Sequence, residues 1–233
     1  TVPLTCTISS ARMATQRKHK NKQAIPRPPD QGQYSFCSSY APNDQFVTFK
    51  YTGSAVAAAT GNYYLYQFRG NSPYDPDYTA VGGQPVGFDE WSALYNKYRV
   101  YECTLDLEVR SAGSFVDVAI FALGAGSGGA PATPSFDAAA VHPYSKHMKV
   151  SSAGTTGRAI LHVPIHKLFG LRRHVIDYED DFAANISANP SRTAWLSAVF
   201  STAGTSDSVE FTWTISMKTR LNQLNVLSLS ALN

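Results

Sequence analysis

The chain has 233 residues, a formal net charge of +3 and only 16% charged residues, while Tyr and Phe number thirteen and twelve. That length suits one all-β domain around a single core, and sparse charge with many aromatics suits a domain that covers surface with neighbours. No apolar run approaches the ~18 residues of a membrane span, and Thr1–Ser10 lacks the basic start and apolar centre of a secretory signal.

The N-terminal segment is set apart by charge. No acid precedes Asp30, whereas Arg12, Arg17, Lys18, Lys20, Lys22 and Arg27 are all basic; the other fourteen Lys and Arg face seventeen Asp and Glu, so the body is net acidic by three. Residues 1–33 show no hydrophobic period and carry Pro26, Pro28 and Pro29. Such a segment buries too little apolar surface to offset its ordering entropy, so residues 1–33 are expected to be a flexible arm and 34–233 the folded domain. A basic leader on a mildly acidic body points to a nucleic acid or an anionic membrane as partner. The chain opens on Thr1, which leaves both upstream residues and a second start at Met13 open.

From Tyr34 onward, β-rich runs alternate with Gly, Pro, Asn and Ser. Gln45–Tyr51 and Asn62–Phe68 are aromatic and β-branched. Phe88, Trp91, Leu94 and Tyr95 then recur at helical spacing, with Asp89 and Glu90 placed for the positive end of a helix dipole. Tyr98–Arg110 alternates Tyr101, Cys103, Leu105, Leu107 and Val109 with Glu102, Thr104, Asp106, Glu108 and Arg110. A period of two with one wet face predicts a half-buried antiparallel strand. Phe115–Leu123 is apolar on both phases, as a strand covered on both sides would be. His147–Ser152, Arg158–Val163 and Thr193–Ser201 follow, with a helical turn expected at Pro164–Phe169 between Pro at its start and Gly170 at its end. Ser208–Lys218 repeats the clean alternation, with Val209, Phe211, Trp213, Ile215 and Met217 on one face. The expectation is an all-β, single eight-stranded antiparallel jelly-roll β-sandwich with short helices in its loops. Long connections at 70–87, 124–142 and 170–190 are of the kind that usually carry function.

Candidate chemistry is thin. Cys6, Cys37 and Cys103 form neither a disulfide framework nor a zinc pattern, and Cys103 reads as a small buried hydrophobe. His162 and His166 are separated by Pro164, and His142 and His147 lack a third ligand, so no histidine metal site is expected. Asp177, Glu179, Asp180 and Asp181 follow Arg172 and Arg173. Those carboxylates suit Ca²⁺ at a subunit interface, ion pairs to the arginines of an adjacent chain, or plain solvation. No G-x-S-x-G elbow is present, and the glycine run 124–129 lacks the Lys of a P-loop. Asp75 and Asp77 flank Pro76 in turn chemistry, and would act as glycosidase carboxylates only with a partner brought near. No enzymatic activity is expected. Tyr74 and Tyr78 either stack on a base or anchor a subunit contact.

The run Phe68-Arg69-Gly70-Asn71-Ser72-Pro73-Tyr74-Asp75-Pro76-Asp77-Tyr78 precedes Gln84-Pro85 and then Phe88-Asp89-Glu90-Trp91-Ser92-Ala93-Leu94-Tyr95-Asn96-Lys97-Tyr98-Arg99-Val100-Tyr101. Together with His166-Lys167-Leu168-Phe169-Gly170-Leu171-Arg172, these motifs resemble the capsid proteins of circular Rep-encoding single-stranded DNA viruses, the circovirus-like group. The resemblance spans residues 45 to 220 in round terms. It implies one jelly roll, a homo-oligomeric icosahedral shell of roughly sixty or more copies, and an interior basic arm on the viral genome. Location in the virion, with assembly in the host nucleus, is implied as well; neither host nor receptor is indicated. The arm here is shorter and less basic than the long arginine-rich one common in that group. Arg12, Arg17, Lys18, Lys20, Lys22 and Arg27 are the expected nucleic-acid contacts, through counterion release, and a basic nuclear-import signal could coexist there. Sixty arms would supply on the order of 360 cations, fewer than the phosphates of a kilobase-scale genome, so further neutralisation must come from elsewhere. A small RNA virus capsid with the same fold, and a jelly-roll carbohydrate-binding module using loop tyrosines, are the alternatives.

Overall fold

A computed structural model describes residues 42–58, 63–79, 82–111, 115–126, 135–151, 154–202 and 208–225. The basic arm residues Arg12 to Arg27, and Cys6 and Cys37, lie outside the described residues, which all belong to one compact unit, Tyr40–Asn233.

The strands are β1 (Asp44–Ala58), β2 (Tyr63–Arg69), β3 (Tyr95–Ser111), β4 (Val116–Ala125), β5 (Ser145–Val150), β6 (Thr156–Pro164), β7 (Ala183–Asn185), β8 (Thr193–Thr202) and β9 (Ser208–Leu224). One sheet runs β1-β9-β3-β6, with the three-residue β7 against the start of β3; the other runs β2-β8-β4-β5. Every pairing is antiparallel. With β7 set aside, the principal strands stand first-eighth-third-sixth and second-seventh-fourth-fifth in chain order, which is the jelly-roll arrangement of two nested Greek keys. Eight main strands in one jelly roll were expected from the sequence, and the register establishes them. The ninth is a short addition inside a long connection.

Alternation builds the core. Leu105, Leu107 and Val109 of β3 and Phe211, Trp213, Ile215 and Met217 of β9 are buried between the sheets, while their polar neighbours face out. Across the gap stand Tyr66 and Phe68 of β2 and Phe200 of β8; Tyr66 meets Phe211 edge-on at 5.3 Å, and Phe68 lies 5.2 Å from Trp213. Aromatic pairs at these spacings add about 0.5–1.5 kcal/mol each beyond area burial. Gly53 sits opposite Trp213 in the register, and a Cβ there would lie 2.5 Å from the indole, so only glycine leaves room for the ring. Cys103 is buried as expected, and burial pushes its thiol up to about 12.

The doubly apolar strands are covered on both sides. Val116, Val118, Ile120 and Ala122 of β4 face the main core. Ala119 and Phe121 face the other way, joining Val199 of β8 and Ala139 of α2 (Phe136–Ala140), a short helix capped by the Ser135 side chain. The two sheets therefore differ: β4 and β8 lie under connecting segments, whereas the outer face of the β1-β9-β3-β6 sheet is polar. It carries the cross-strand pairs Lys218–Glu102 and Arg158–Asp106, at 2.7 and 2.5 Å. Solvent screens pairs of this kind, so they add little to stability.

The last residue of β1 lies opposite the first of β9, so these two strands meet at one end, while the long intervals between β2 and β3, β4 and β5, and β6 and β8 separate the others in sequence. Along the long ones lie α1 (Phe88–Ser92), α2, α3 (Ile165–Leu168) and α4 (Arg173–Tyr178), then a 3₁₀ turn at Asp180–Phe182. The turn expected at Pro164–Phe169 is α3, closed by Gly170 at φ 67°. The helix expected through Tyr95 stops at Ser92, because Tyr95 already pairs with Leu224 of β9.

Candidate functional site

The connection after β2 is held from within its own chain. Arg69 pairs with Asp75 at 2.6 Å, and its guanidinium lies 5.3 and 5.5 Å from the rings of Tyr78 and Trp195. Asn71 donates to the Arg192 carbonyl at 2.8 Å and accepts from the Ala194 N–H at 2.9 Å. Ser72 donates to Asn189 Oδ1 at 2.6 Å. The arginine-glycine-asparagine run thus ties the β2 connection to the segment entering β8. Gly70 is required there, since a Cβ would meet the Cys103 sulfur and the Leu196 side chain below 3 Å.

Asp77 is almost wholly buried. Its Oδ2 accepts from the Tyr66 hydroxyl at 2.7 Å and lies 3.5 Å from that of Tyr51, while Oδ1 accepts from the Thr79 N–H and hydroxyl at 2.9 and 2.8 Å. Burial, then the adjacent Asp77 charge, lifts the Tyr51 phenol to about 12; Tyr66 is raised by burial and by its hydrogen bond to Asp77. The two carboxylates of the Asp75-Pro76-Asp77 turn are therefore committed, one to an arginine and one to two tyrosines. Tyr74 packs against the main core, and Tyr78 meets Trp195 edge-on at 5.1 Å.

The acidic segment after β6 is also reassigned. Asp177 pairs with Arg220 at 3.5 Å and accepts from the Tyr101 hydroxyl; Glu179 and Asp181 pair with Arg192 at 3.5 and 3.4 Å. Arg99, buried, donates to the Asp177 carbonyl and, at 3.2 Å, to that of Glu179. Asp177, Glu179 and Asp181 are thus held by Arg220 and Arg192 of the same chain, not by the sequence neighbours Arg172 and Arg173. Among the described residues no cluster of three metal-ligating side chains occurs. His162 Nδ1 lies 3.0 Å from the Thr104 hydroxyl, and His147 stands 3.7 Å from Asp117.

A β-bulge explains how Tyr101 reaches this segment. Val100 pairs with Thr219 and Glu102 with Lys218, so Tyr101 is skipped. Buried positions change parity there, from Tyr98 and Val100 to Tyr101, Cys103 and Leu105, as an extra residue in the strand requires. The alternation places Tyr101 in the core-facing phase, and it is buried within the main core cluster, with its ring 6.0 Å from exposed Phe46 and its hydroxyl on Asp177.

Together these groups bound an open cleft of about 580 Å³, lined by Asp44, Phe46, Tyr101, Arg173, Asp177, Tyr178 and Arg220. Arg220 is bracketed by Asp44 at 2.9 Å and Asp177 at 3.5 Å, and its contacts with Asp44 and then the Tyr101 hydroxyl raise its pKa further. Phe46 and Tyr178 are 65% and 82% exposed, so apolar ring surface stands at the cleft's mouth. Val86 and Val141, in two of the long connections, are also exposed. None of these had a signal in the sequence beyond sitting near a long loop. Exposed apolar groups near one another are the ordinary mark of an interaction surface.

No protein-family model matches this chain, and no curated protein matches it either. Similar solved structures are viral. A Desmodium yellow mottle tymovirus structure is 9% identical with a TM-score of 0.37, over 93% of this chain and 98% of that one. A Cocksfoot mottle virus structure is 11% identical with a TM-score of 0.47, over 78% and 95%. The decameric capsid protein of BFDV is 10% identical with a TM-score of 0.40, over 77% and 99%. The jelly-roll assignment rests on this chain's own strand register.

Proposed function

We propose that this chain is a viral capsid protein that self-assembles into a small icosahedral shell and packages a single-stranded DNA genome through its basic N-terminal segment. The observation that carries the reading is a division of labour along one chain. A jelly roll with a net acidic body is preceded by a segment whose only charges, up to Asp30, are six cations. The motif resemblance at Phe68–Tyr78, Phe88–Tyr101 and His166–Arg172 supports a circovirus-like capsid and, with it, the DNA genome. Assembly is driven by burial of apolar and aromatic surface between copies, for which exposed Val86 and Val141 are available. Counterion release adds the affinity for the genome, and many copies multiply modest contacts. Virion location, with a nuclear stage of assembly, follows from the same reading.

The sugar-binding alternative needs a platform of free loop tyrosines. Tyr74 and Tyr78 are instead engaged with the core and with Trp195, which disfavours it.

The test is sedimentation of the purified full chain, with its absorbance ratio at 260 and 280 nm. Large uniform particles carrying DNase-sensitive nucleic acid are expected, and deletion of residues 1–27 should reduce nucleic-acid content more than it perturbs the folded domain. RNase-sensitive content would transfer the reading to an RNA genome. A small oligomer that binds sugar and carries no nucleic acid would refute the capsid reading.

A further inference from the structure

We infer that Lys167, Arg172 and Arg173, with the exposed rings of Tyr178 and Phe46, form a second contact for single-stranded nucleic acid on the folded domain itself, phosphates on the cations and bases on the rings. The inference rests on the packaging reading only in assuming that the chain handles nucleic acid.

Three observations converge. The first is a group of three cations without a direct ion pair. Of the carboxylates near these cations in sequence, Asp177 pairs with Arg220 and Glu179 and Asp181 share Arg192, while Asp180 is in no ion pair among the described residues; Glu102, from β3, pairs with Lys218. Among the described residues no carboxylate pairs with Lys167, Arg172 or Arg173, and all three are exposed. Their fields overlap: His166 is pushed below its ordinary value first by burial and then by Lys167 and Arg173.

The second is ring surface beside that charge. Arg173 lines the same cleft as Phe46 and Tyr178, whose rings are largely in solvent. A cationic track flanked by aromatic faces is how proteins hold single strands without reading sequence, because every base has a face to stack. The two acids in the cleft, Asp44 and Asp177, share Arg220, and Arg173 makes no ion pair with either, so its guanidinium is open to a phosphate.

The third is position. Asp44, a lining residue, is the first residue of β1, and Tyr95 fixes the Pro42 carbonyl just before it at 2.6 Å. The described residues therefore begin beside this cleft. A cationic surface here supplies part of the neutralisation that the segment's own six charges leave wanting.

The test uses the full chain, at concentrations where sedimentation shows single subunits, binding a fluorescent oligothymidylate across a salt series. Replacing Lys167, Arg172 and Arg173 together by Gln should flatten the log K against log salt slope by about 2, at ~0.7 per lost single-strand phosphate contact. The thermal midpoint should stay unchanged, since the three side chains are exposed. Tyr178→Ala should weaken oligothymidylate binding by roughly fivefold or more yet leave a duplex of equal length unaffected, because paired bases offer no face to stack. Lys146→Gln with Lys149→Gln, on β5 of the other sheet, should leave the slope as it was.

An unchanged slope in the triple variant, while the parent binds, overturns the inference and leaves the packaging reading standing. An equal loss in the β5 control reduces the effect to net charge and also overturns it. A triple variant that keeps its slope but no longer forms particles makes the surface a subunit contact instead. Absence of binding by the parent itself would remove the packaging reading as well.

Discussion

At the scale of residues, the buried Asp77 carboxylate is the most consequential polar group in the domain. It is satisfied by Tyr66 and by both donors of Thr79, so truncation orphans hydroxyls and an amide that no longer reach water. Leaving buried donors unpaired costs about 1–3 kcal/mol, and Asp77→Ala is expected to lower the unfolding free energy by an amount in that range, read by urea denaturation. The same group has a pH signature. Tyr51 and Tyr66 have folded-state pKa values above those of the unfolded chain. Their contribution is therefore complete below the ordinary tyrosine pKa of about 10, and is lost as pH rises toward the Tyr51 value of about 12. Alkaline unfolding followed by tyrosinate absorbance should show this loss, and Tyr66→Phe should make it shallower. Cys103, also buried, was legible because it falls in the apolar phase of a clean alternation. Asp77 was not: a carboxylate beside Pro reads as a surface turn, and nothing local tells that two strand tyrosines close over it.

At the scale of elements, α4 and the 3₁₀ turn after it are held by side chains reaching from β3. Arg99 donates to carbonyls of Asp177 and Glu179, and Tyr101 to the Asp177 carboxylate. Hydrogen bonds from a charged donor are worth about 1.5–3 kcal/mol. Arg99→Ala should release this segment, seen as faster amide hydrogen exchange across 173–182 with β9 still protected; equal loss in both would mean that Arg99 supports the whole sheet. The sequence revealed the strands well where one face is wet, as in β3 and β9, because alternation records burial directly. β4 read correctly as covered on both sides, yet its cover could not be named: α2 is a single turn and too short for a period to appear. Residues 173–182 read as loop for the same reason. The bulge at Tyr101 also escaped, since one extra residue changes parity without changing composition.

At the scale of the whole molecule, the polar outer sheet face answers to acid. Lys218 holds Glu102 below its ordinary pKa, and Arg158 does the same for Asp106. Depressed folded-state values mean stabilisation that is present above the ordinary carboxylate pKa near 4, and that is lost as pH falls through the folded values. His166, depressed chiefly by burial, acts in the same direction below its ordinary value of about 6.5. Acid titration of the unfolding midpoint should therefore fall most steeply below about pH 4, and Glu102→Gln with Asp106→Asn should flatten that limb; a steeper limb would contradict the assignment. Charge division between leader and body was readable from composition alone, but the reassignment of arginines was not. Arg172 and Arg173 stand next to the acids in sequence, whereas Arg192 and Arg220 reach them in space.

The central claim is that copies of this chain close on themselves around nucleic acid. Negative-stain microscopy of the purified full chain tests it most directly. Uniform closed particles with stain-excluding interiors are the predicted result. A monodisperse single subunit at high concentration, unchanged by added oligonucleotide, would contradict it.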